Sequence, residues 1–268
     1  MKILLIIGDH PRHFFLANQI MEKFNDTLAI VEKRNSMRPK IRNKYSNTDK
    51  KLFLKHFMER QKIEKSFFSS SSFISNRKSI KITSIRKDVK KVLKILNHEK
   101  PNVLLTFGCG IIADPLLSKL PKYSFNFHTG LLPYYRGTAG NFWPFYFLQP
   151  NYVGITIHKI EKKLDAGSIL HQTIPKLLKN DGIHDVSCRA IHDGVKDLKK
   201  ILNKISNGYK PILVSQKSNG KIFVDNDFKP HHLRVVYKLF NNDIVNYFLN
   251  NSLQKNSPQT IRVQYEKN

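Results

Sequence analysis

The stretch Phe125-Asn126-Phe127-His128-Thr129-Gly130-Leu131-Leu132-Pro133-Tyr134-Tyr135-Arg136-Gly137 lies near the middle of the 268-residue chain. Its first residues predict a strand that carries Asn126 and His128 at its carboxyl end. Because these two residues are two apart, an extended strand points both side chains to the same face. Ligands bind at the carboxyl ends of the strands in open α/β sheets. The stretch therefore indicates an α/β fold with a site at that edge of the sheet.

Apolar runs on both sides of this stretch predict further strands and helices. The start of the chain is typical of strand–helix–strand, which favours a parallel sheet. Predicted strands cover 3–7, 28–31, 80–83, 103–107, 124–127, 153–160, 168–174, 212–215 and 221–224, and predicted helices cover 14–24, 47–67, 84–97, 181–207 and 231–239. Ser84 is expected to cap the third helix, Asn219-Gly220 to form a hairpin turn, and the Ser/Phe-rich stretch 66–75 to form a loop.

The composition limits the class of protein. An apolar content of 40% is enough to build a core at this length. No apolar run approaches the roughly 18 residues that a membrane-spanning helix needs, so no membrane partner is expected. The opening run from Met1 to Asp9 is too short for a signal sequence and fits a buried first strand. Since Cys109 and Cys188 are the only cysteines, we expect no disulfide framework and a cytoplasmic location.

The formal net charge is +26, and residues 33–100 alone hold 21 Lys and Arg against 5 Asp and Glu. One interpretation is an electropositive surface for nucleic acid, anionic lipid or a phosphorylated ligand. The other is a solvated surface in a chain rich in Lys, Asn and Ile. The aromatic residues of this region recur at helical spacing and not in a base-stacking pattern, which weakens the case for nucleic acid.

Three side chains point to one reaction type. Asn126 offers an amide that can stabilise an oxyanion, His128 an imidazole that can move a proton, and Asp165 a carboxylate that can orient that imidazole. Each also has an ordinary structural role: strand-end hydrogen bonding, a half-buried histidine and a turn. Together they suit acyl transfer to an amine without a covalent enzyme intermediate. Only the fold can bring Asp165 to His128, and we then expect the carboxylate to raise the pKa of His128.

The pattern Asn-x-His, Leu-Leu-Pro-x-Tyr-Arg-Gly and Leu-Asp-x-Gly resembles the formyltransferase family that depends on 10-formyltetrahydrofolate. The resemblance is strong over residues 101–172. It implies a Rossmann-like, mostly parallel α/β formyltransferase domain over residues 1–205. A small C-terminal α+β annex, a hairpin plus a helix, would follow over residues 206–268. One departure is Thr129-Gly130, where the family commonly has Pro-Ser, so contacts of that serine hydroxyl are in doubt.

The resemblance also implies roles for individual residues. Asn126, His128 and Asp165 would be the catalytic trio, and N10-formyltetrahydrofolate would be the formyl donor, without a metal. The segments 107–112, 131–137 and 160–165 would hold the donor, largely through backbone groups. The donor-binding residues would be Phe107, Gly108, Gly110, Ile111, Leu131, Pro133, Arg136, Gly137, Ile160 and Leu164.

The acceptor side is expected at the first loop and in the aromatic region after the catalytic loop. His10 and Arg12 would contact the acceptor, although an ordinary turn with a solvated arginine fits this loop equally well. Tyr134 or Trp143 would line a sugar or base pocket. His10 and nearby histidines lack the cysteine or carboxylate spacing of a metal site. His158 is expected to be structural.

The resemblance alone leaves the acceptor to be chosen among family members. The methionyl-tRNA enzyme is expected to carry a C-terminal barrel for which the residues after 205 are too few. The glycinamide ribonucleotide enzyme is expected to have a Gly-rich first loop, which Gly8-Asp9-His10-Pro11 lacks, and the formyl-tetrahydrofolate hydrolase an extra N-terminal domain. We therefore expect a sugar N-formyltransferase that acts, as a homodimer, on a nucleotide-linked amino sugar for surface polysaccharide such as O-antigen lipopolysaccharide. A methionyl-tRNA formyltransferase-like or other RNA-binding protein and the hydrolase remain the alternatives.

Overall fold

The computed structural model describes residues 1–34, 41, 44–68, 79–217, 220–254, 256–262 and 264. Most of the Ser/Phe-rich stretch 66–75 lies outside the described residues, as does Asn219. The loop and the turn that the sequence predicts there stay predictions.

Strands and helices alternate along most of the chain, as the apolar runs predict. The strands are β1 (Ile3–Gly8), β2 (Thr27–Glu32), β3 (Ser79–Ile82), β4 (Val103–Phe107), β5 (Tyr123–Thr129), β6 (Tyr135–Gly137), β7 (Ile155–Lys159), β8 (Ile169–Thr173) and β9 (Lys221–Phe223). The helices are α1 (Pro11–Lys23), α2 (Asn47–Phe67), α3 (Val89–Glu99), α4 (Trp143–Tyr146), α5 (Ile183–Ser206) and α6 (Ile244–Leu249). A π-helix, Val235–Leu239, precedes α6.

Seven of these strands form one sheet in the order β3-β2-β1-β4-β5-β7-β8. The five strands from β3 to β5 are parallel, and β7 and β8 continue the sheet in antiparallel orientation. The α/β, mostly parallel Rossmann-like sheet that the sequence predicts is therefore confirmed. The chain changes direction across the sheet between β1 and β4, and the crevice at such a switch point is where open α/β sheets bind ligands.

Apolar side chains cover both faces of the sheet, which is why β1 is buried along its whole length. One face packs against α1, α2 and α5, with Ile3, Leu5 and Ile7 pointing into that core. The other face packs against α3, with Leu4 and Ile6 pointing into it. This alternation fixes the direction in which each strand end presents its polar residues.

Helix α3 begins at Val89, so the predicted helix start at residue 84 is wrong, although the hydroxyl of Ser84 accepts the backbone N–H of Lys87 at 3.2 Å as a cap would. The carboxylate of Asp88 accepts the backbone N–H groups of Thr83 at 2.7 Å and Ser84 at 3.2 Å. These bonds satisfy the backbone in a turn, which delays the helix by about one turn.

The two strands predicted on either side of the Asn219-Gly220 turn do not pair with each other in the described part of the chain. β9 pairs with β6 in parallel, and the segment around Val214 makes an isolated bridge to Ile169 of β8. Trp143 fixes the position of β9, because its ring stacks on Phe223 at a centroid distance of 4.3 Å. After β9 the chain packs on the core shared by α1, α2 and α5, with Val236 among the buried residues. The domain boundary near residue 205 stays a prediction.

The outer edge of β8 is covered by the chain itself. Ile169 exchanges backbone hydrogen bonds with Val214 at 2.8 and 2.9 Å, and the N–H of Gln172 donates to the carbonyl of Ile261 at 2.8 Å. Buried Gln264 donates from its amide to the carbonyl of Leu170 at 2.9 Å. Among the helices described here, none combines the length and the apolar character needed to cross a membrane.

Candidate active site

The fold brings Asn126, His128 and Asp165 together at the carboxyl edge of the sheet. Asn126 and His128 lie on β5, and Asp165 lies in the turn between β7 and β8. The Nδ1 atom of His128 is 3.6 Å from Oδ2 of Asp165. A fourth side chain, His158, lies between Asn126 and Asp165. Its Nε2 is 3.2 Å from Nδ2 of Asn126 and 3.4 Å from Oδ1 of Asp165.

Hydrogen bonds on both sides orient the amide of Asn126. The hydroxyl of Thr106 donates to Oδ1 at 2.8 Å. The Nδ1–H of His158 donates to the carbonyl of Lys159 at 2.9 Å, which turns its Nε2 toward the amide nitrogen of Asn126, 3.2 Å away. The amide nitrogen carries a second N–H that can turn to a developing oxyanion.

His128 is buried, and its ring is anchored by the backbone. Its Nε2–H donates to the carbonyl of Tyr135 at 2.9 Å, so in the neutral ring the lone pair lies on Nδ1, the atom nearest Asp165. Burial lowers the pKa of His128 below its ordinary value, and the opposing charge of Asp165 does not compensate. Asp165 thus acts on the pKa of His128 in the expected direction, but the loss of hydration outweighs the ion pair and the net shift is downward.

Asp165 is held as an ionised carboxylate. The N–H of Gly137 donates to its Oδ2 at 2.8 Å. Burial alone would raise the pKa of Asp165, but His128, His158 and the Gly137 N–H together keep it well below its usual range. The site thus pairs a neutral imidazole with a charged carboxylate.

His158 is the site residue that the sequence analysis missed. In the antiparallel ladder of β5 and β7, His158 lies directly opposite Asn126. Its own strand shows only that its side chain alternates with apolar neighbours. The register between the two strands, which no local pattern displays, places it in the site.

A cavity of about 570 Å³ opens beside the trio. None of the three side chains is among its lining residues, but Thr129, which follows His128, and Thr138, which follows Gly137, line it. Its other walls come from the first loop, α2, the start of α5 and the C-terminal segment 225–230. The predicted acceptor residues His10 and Arg12 both line it.

The cavity carries positive charge in a fixed arrangement. Arg12, Arg34 and Arg60 line it, and Glu64 bridges Arg12 at 2.9 Å and Arg60 at 2.8 Å. Burial alone would raise the pKa of Glu64, but the two guanidinium groups lower it to about 2. Burial and the neighbouring Arg60 lower the pKa of Arg12 to about 10, which leaves it charged at neutral pH. One carboxylate thus holds two cations at the wall of the cavity.

Comparison with known proteins identifies the family of this chain. Residues 15–202 match the family model described as formyl transferase. The chain belongs to the formyl transferase family. A methionyl-tRNA formyltransferase of Caldicellulosiruptor saccharolyticus is 36% identical over 121 residues, which cover 44% of this chain and 37% of that protein. This formyl transferase chain spans about half or less of the length of the curated relatives that it matches.

Solved structures share the fold at low sequence identity. A sugar N-formyltransferase from Shewanella sp. superimposes with a TM-score of 0.55 at 21% identity, covering 85% of this chain and 78% of that one. An N-formyltransferase from Helicobacter canadensis, solved with folinic acid and dTDP-3-aminofucose, gives a TM-score of 0.54 at 17% identity, covering 90% of this chain and 82% of that one.

Some of the predicted donor residues are exposed, and others are buried or lie at strand ends. Ile111 is 68% exposed on the loop after β4, and Leu164 is 37% exposed beside Asp165. Buried Arg136 donates from its guanidinium to the carbonyl of Leu164, which ties the catalytic loop to the Asp165 turn. Pro133 and Ile160 are half-buried, and Gly108, Gly110 and Gly137 adjoin the strand ends.

Several predicted contacts need correction, because the side chains point into the core. Phe107 packs between His13 and Phe127, and Leu131 is fully buried, so only their backbone groups can face a donor. Trp143 does not line the cavity: it is buried, and its indole N–H donates to the carbonyl of Thr138.

Tyr134 also lies outside the cavity lining, packed edge-on against Tyr152. The part of the chain that the structure describes holds no cluster of three or more His, Cys, Asp or Glu arranged to bind a metal ion.

Proposed function

We propose that this protein transfers the formyl group of N10-formyltetrahydrofolate to the amino group of a nucleotide-linked amino sugar. The observation that carries the proposal is the convergence of Asn126, His128 and Asp165, together with a cavity that holds several arginines and is lined by Thr129 and Thr138, the neighbours of His128 and Gly137. Membership of the formyl transferase family supports the same reaction. The product would be an N-formylated sugar for surface polysaccharide such as O-antigen lipopolysaccharide, made in the cytoplasm by a homodimer.

The geometry suits direct attack of the amine on the formyl carbon. As the new C–N bond forms, the formyl oxygen gains negative charge, and the free N–H of the Asn126 amide is the donor for it. The attacking nitrogen becomes positive and must lose a proton. A proton taken up at Nδ1 of His128 would lie between the ring and Asp165, while Nε2–H keeps its bond to Tyr135. Collapse of the intermediate breaks the bond to N10 of the donor, which takes up a proton.

The donor side fits a flat, partly apolar ring system. Ile111 and Leu164 offer exposed apolar surface on either side of the trio. The loop after β4 and the Asp165 turn also bring backbone groups to the same edge. Such a mixture suits the hydrogen-bonding edge and the apolar face of a pterin.

The acceptor side fits a nucleotide diphosphate. Arg12, Arg34 and Arg60 supply cations that suit phosphate oxygens, while Phe57 and Phe228 line the same cavity and offer apolar surface for a base or sugar. The Helicobacter canadensis protein, which shares this fold, was solved with a nucleotide-linked amino sugar. A cavity of about 570 Å³ also suits a soluble nucleotide better than a folded RNA.

Formylation of methionyl-tRNA is the second candidate, because curated relatives that match this chain carry that name. The excess of Lys and Arg in residues 33–100 would provide a surface for the RNA backbone. The two candidates differ only in the acceptor, so one assay separates them.

The test offers the purified protein N10-formyltetrahydrofolate with a panel of nucleotide-linked amino sugars and, separately, methionyl-tRNA. We expect tetrahydrofolate and a formamido sugar to form together, and no formyl-methionyl-tRNA. Formylated tRNA without formylated sugar would replace the proposal by the second candidate. Formate release without any acceptor would indicate a hydrolase.

The same assay tests the trio. Asn126→Ala, His128→Ala and Asp165→Ala should each lower kcat, by about 100- to 1,000-fold for the oxyanion donor Asn126. Asn102→Ala, at the opposite edge of the sheet, is the matched control: its amide accepts the backbone N–H of Lys2. Near-normal turnover in any two of the trio variants, with folded protein, would contradict the assignment.

A further inference from the structure

A buried carboxylate at the end of β2 has no part in the chemistry described so far. Glu32 is 2% exposed although it lies at the carboxyl edge of the sheet. A buried carboxylate is costly unless hydrogen bonds replace its water, so its partners show what holds it there.

The partners of Glu32 come from three separate segments. Its Oε2 accepts the backbone N–H of Gly110 at 2.6 Å, and its Oε1 accepts the backbone N–H of Ile85 at 3.0 Å. Arg34, which lines the cavity, places Nη1 3.5 Å from the same carboxylate. Glu32 therefore joins the loop after β4 to the connection between β3 and α3 and to the acceptor side.

We infer that Glu32 is a positioning residue, which holds the loop of residues 108–112 in the shape that receives the folate. This inference rests on the proposed function, since it concerns the donor side of the same site. The loop starts at the switch point of the sheet, directly after the strand whose Thr106 orients Asn126. Its Ile111 is the exposed apolar surface assigned above to the donor.

Two details show that the loop is built around the carboxylate. A Cβ added at Gly110 would lie 3.2 Å from Oε1 of Glu32, so a glycine lets the loop approach this closely. Cys109 lies in the same loop, and burial, followed by the charge of Glu32, raises the pKa of its thiol to about 12. Removal of the Glu32 charge should therefore change the reactivity of the Cys109 thiol, one residue away from the Gly110 hydrogen bond.

Glu32→Gln is the sharpest substitution, because it preserves size and removes one acceptor. A carboxylate accepts both backbone N–H groups, whereas a glutamine turns an NH₂ group toward one of them. Asp88→Asn is the matched control. Asp88 also accepts two backbone N–H groups of the connection between β3 and α3, and both donors, Thr83 and Ser84, lie outside the 108–112 loop.

We expect Glu32→Gln to raise the KM for N10-formyltetrahydrofolate about tenfold or more, with kcat at saturating donor and the acceptor KM within about twofold of wild type. Asp88→Asn should leave all three constants unchanged even where it lowers the melting temperature. An unchanged donor KM in folded Glu32→Gln would overturn the inference. If Glu32→Gln does not fold, Glu32→Asp, which withdraws the carboxylate by one methylene, must raise the donor KM instead.

Thiol labelling gives a readout that does not need the reaction. Maleimide should modify Cys109 slowly in wild type and at least several-fold faster in Glu32→Gln, with the site of modification assigned by peptide mass mapping. Equal rates in the two proteins would overturn the inference about the loop. A wild type inactive toward every acceptor would refute the proposed function while leaving this labelling result to be read on its own.

Discussion

At the scale of single residues, the hydrogen bonds of His128 and Asn126 decide which of their atoms can face a ligand. The carbonyl of Tyr135 accepts the Nε2–H of His128, and the hydroxyl of Thr106 donates to the amide oxygen of Asn126. These partners leave Nδ1 of His128 facing Asp165 and an amide N–H of Asn126 for the formyl oxygen. The orientation of both side chains therefore depends on Tyr135 and Thr106.

Thr106→Val tests this dependence. The variant keeps the shape of the buried side chain but loses the hydroxyl that donates to Asn126 at 2.8 Å. The freed amide can rotate, so we expect kcat to fall about tenfold, in line with the loss of one buried hydrogen bond, with little change in donor KM. Thr106→Ser keeps the hydroxyl and should retain most of kcat. Steady-state kinetics would contradict the argument if valine and serine behaved alike.

At the scale of elements, the short pair β6–β9 builds one wall of the site from residues far apart in the chain. Gly137 ends β6, and its N–H donates to Asp165. Its φ of +84° favours glycine, and an added Cβ would lie 2.0 Å from the carbonyl oxygen of Phe223. Gly137 thus belongs to the strand pair and also holds the carboxylate of Asp165.

Gly137→Ala should disturb both functions of this residue. The methyl group must push β9 away or shift the N–H from Asp165, so we expect a lower melting temperature and a loss of kcat of about tenfold or more. Gly208→Ala is the matched control, because Gly208 also has a positive φ, +88°, but open space around its Cβ position. It should cost about 1 kcal/mol of stability or less and leave kcat unchanged. Equal kcat losses in the two variants would show that backbone strain, not the contact, matters.

The same scale shows what the sequence could predict. The apolar runs were sufficient for the central strands of the sheet, since β1, β4 and β8 are buried along their whole length. They could not reveal that β9 pairs with β6, because both strands are three residues long and carry no periodicity. His158 was missed for a related reason: its role follows from its position opposite Asn126, and cross-strand register is a long-range property.

Electrostatics show the same division. The sequence predicts the carboxylate next to the imidazole, but not how deeply both are buried. Desolvation then reverses the expected direction of the pKa of His128. Trp143 shows the converse, since residue type suggested a binding surface and packing placed it in the core.

At the scale of the whole molecule, several histidines are buried uncharged. Burial lowers the pKa of His13 and His56 well below the ordinary value and lowers the pKa of His184 to about 3. The hydroxyl of Tyr237 lies 3.0 Å from Nδ1 of His56 and 3.4 Å from Nε2 of His184, which joins the π-helix to α2 and α5. The folded chain therefore resists protonation of groups that the unfolded chain protonates readily.

This difference predicts acid lability with a definite sign. Since the folded pKa values lie below the unfolded value of about 6.5, the stability is fully present above that pH and declines as the pH falls toward 3. Each such histidine lowers the free energy of unfolding by up to about 1.4 kcal/mol per pH unit in this window. Urea denaturation between pH 8 and pH 5 measures the slope.

His56→Gln should make that slope shallower, whereas His98→Gln, at a surface position, should not. Parallel slopes for His56→Gln and wild type would contradict the assignment of acid lability to the buried histidines.

The covered edge of β8 has a consequence for self-association. Open strand edges allow one molecule to extend its sheet into the next, and this is a common route to edge-to-edge polymers. Here Val214, Ile261 and Gln264 already occupy the outward-facing backbone groups of β8. Two copies of this chain that meet on this flank must therefore do so through side-chain surfaces. Removing the chain from Ile261 onward would expose unpaired backbone groups of β8 and favour aggregation.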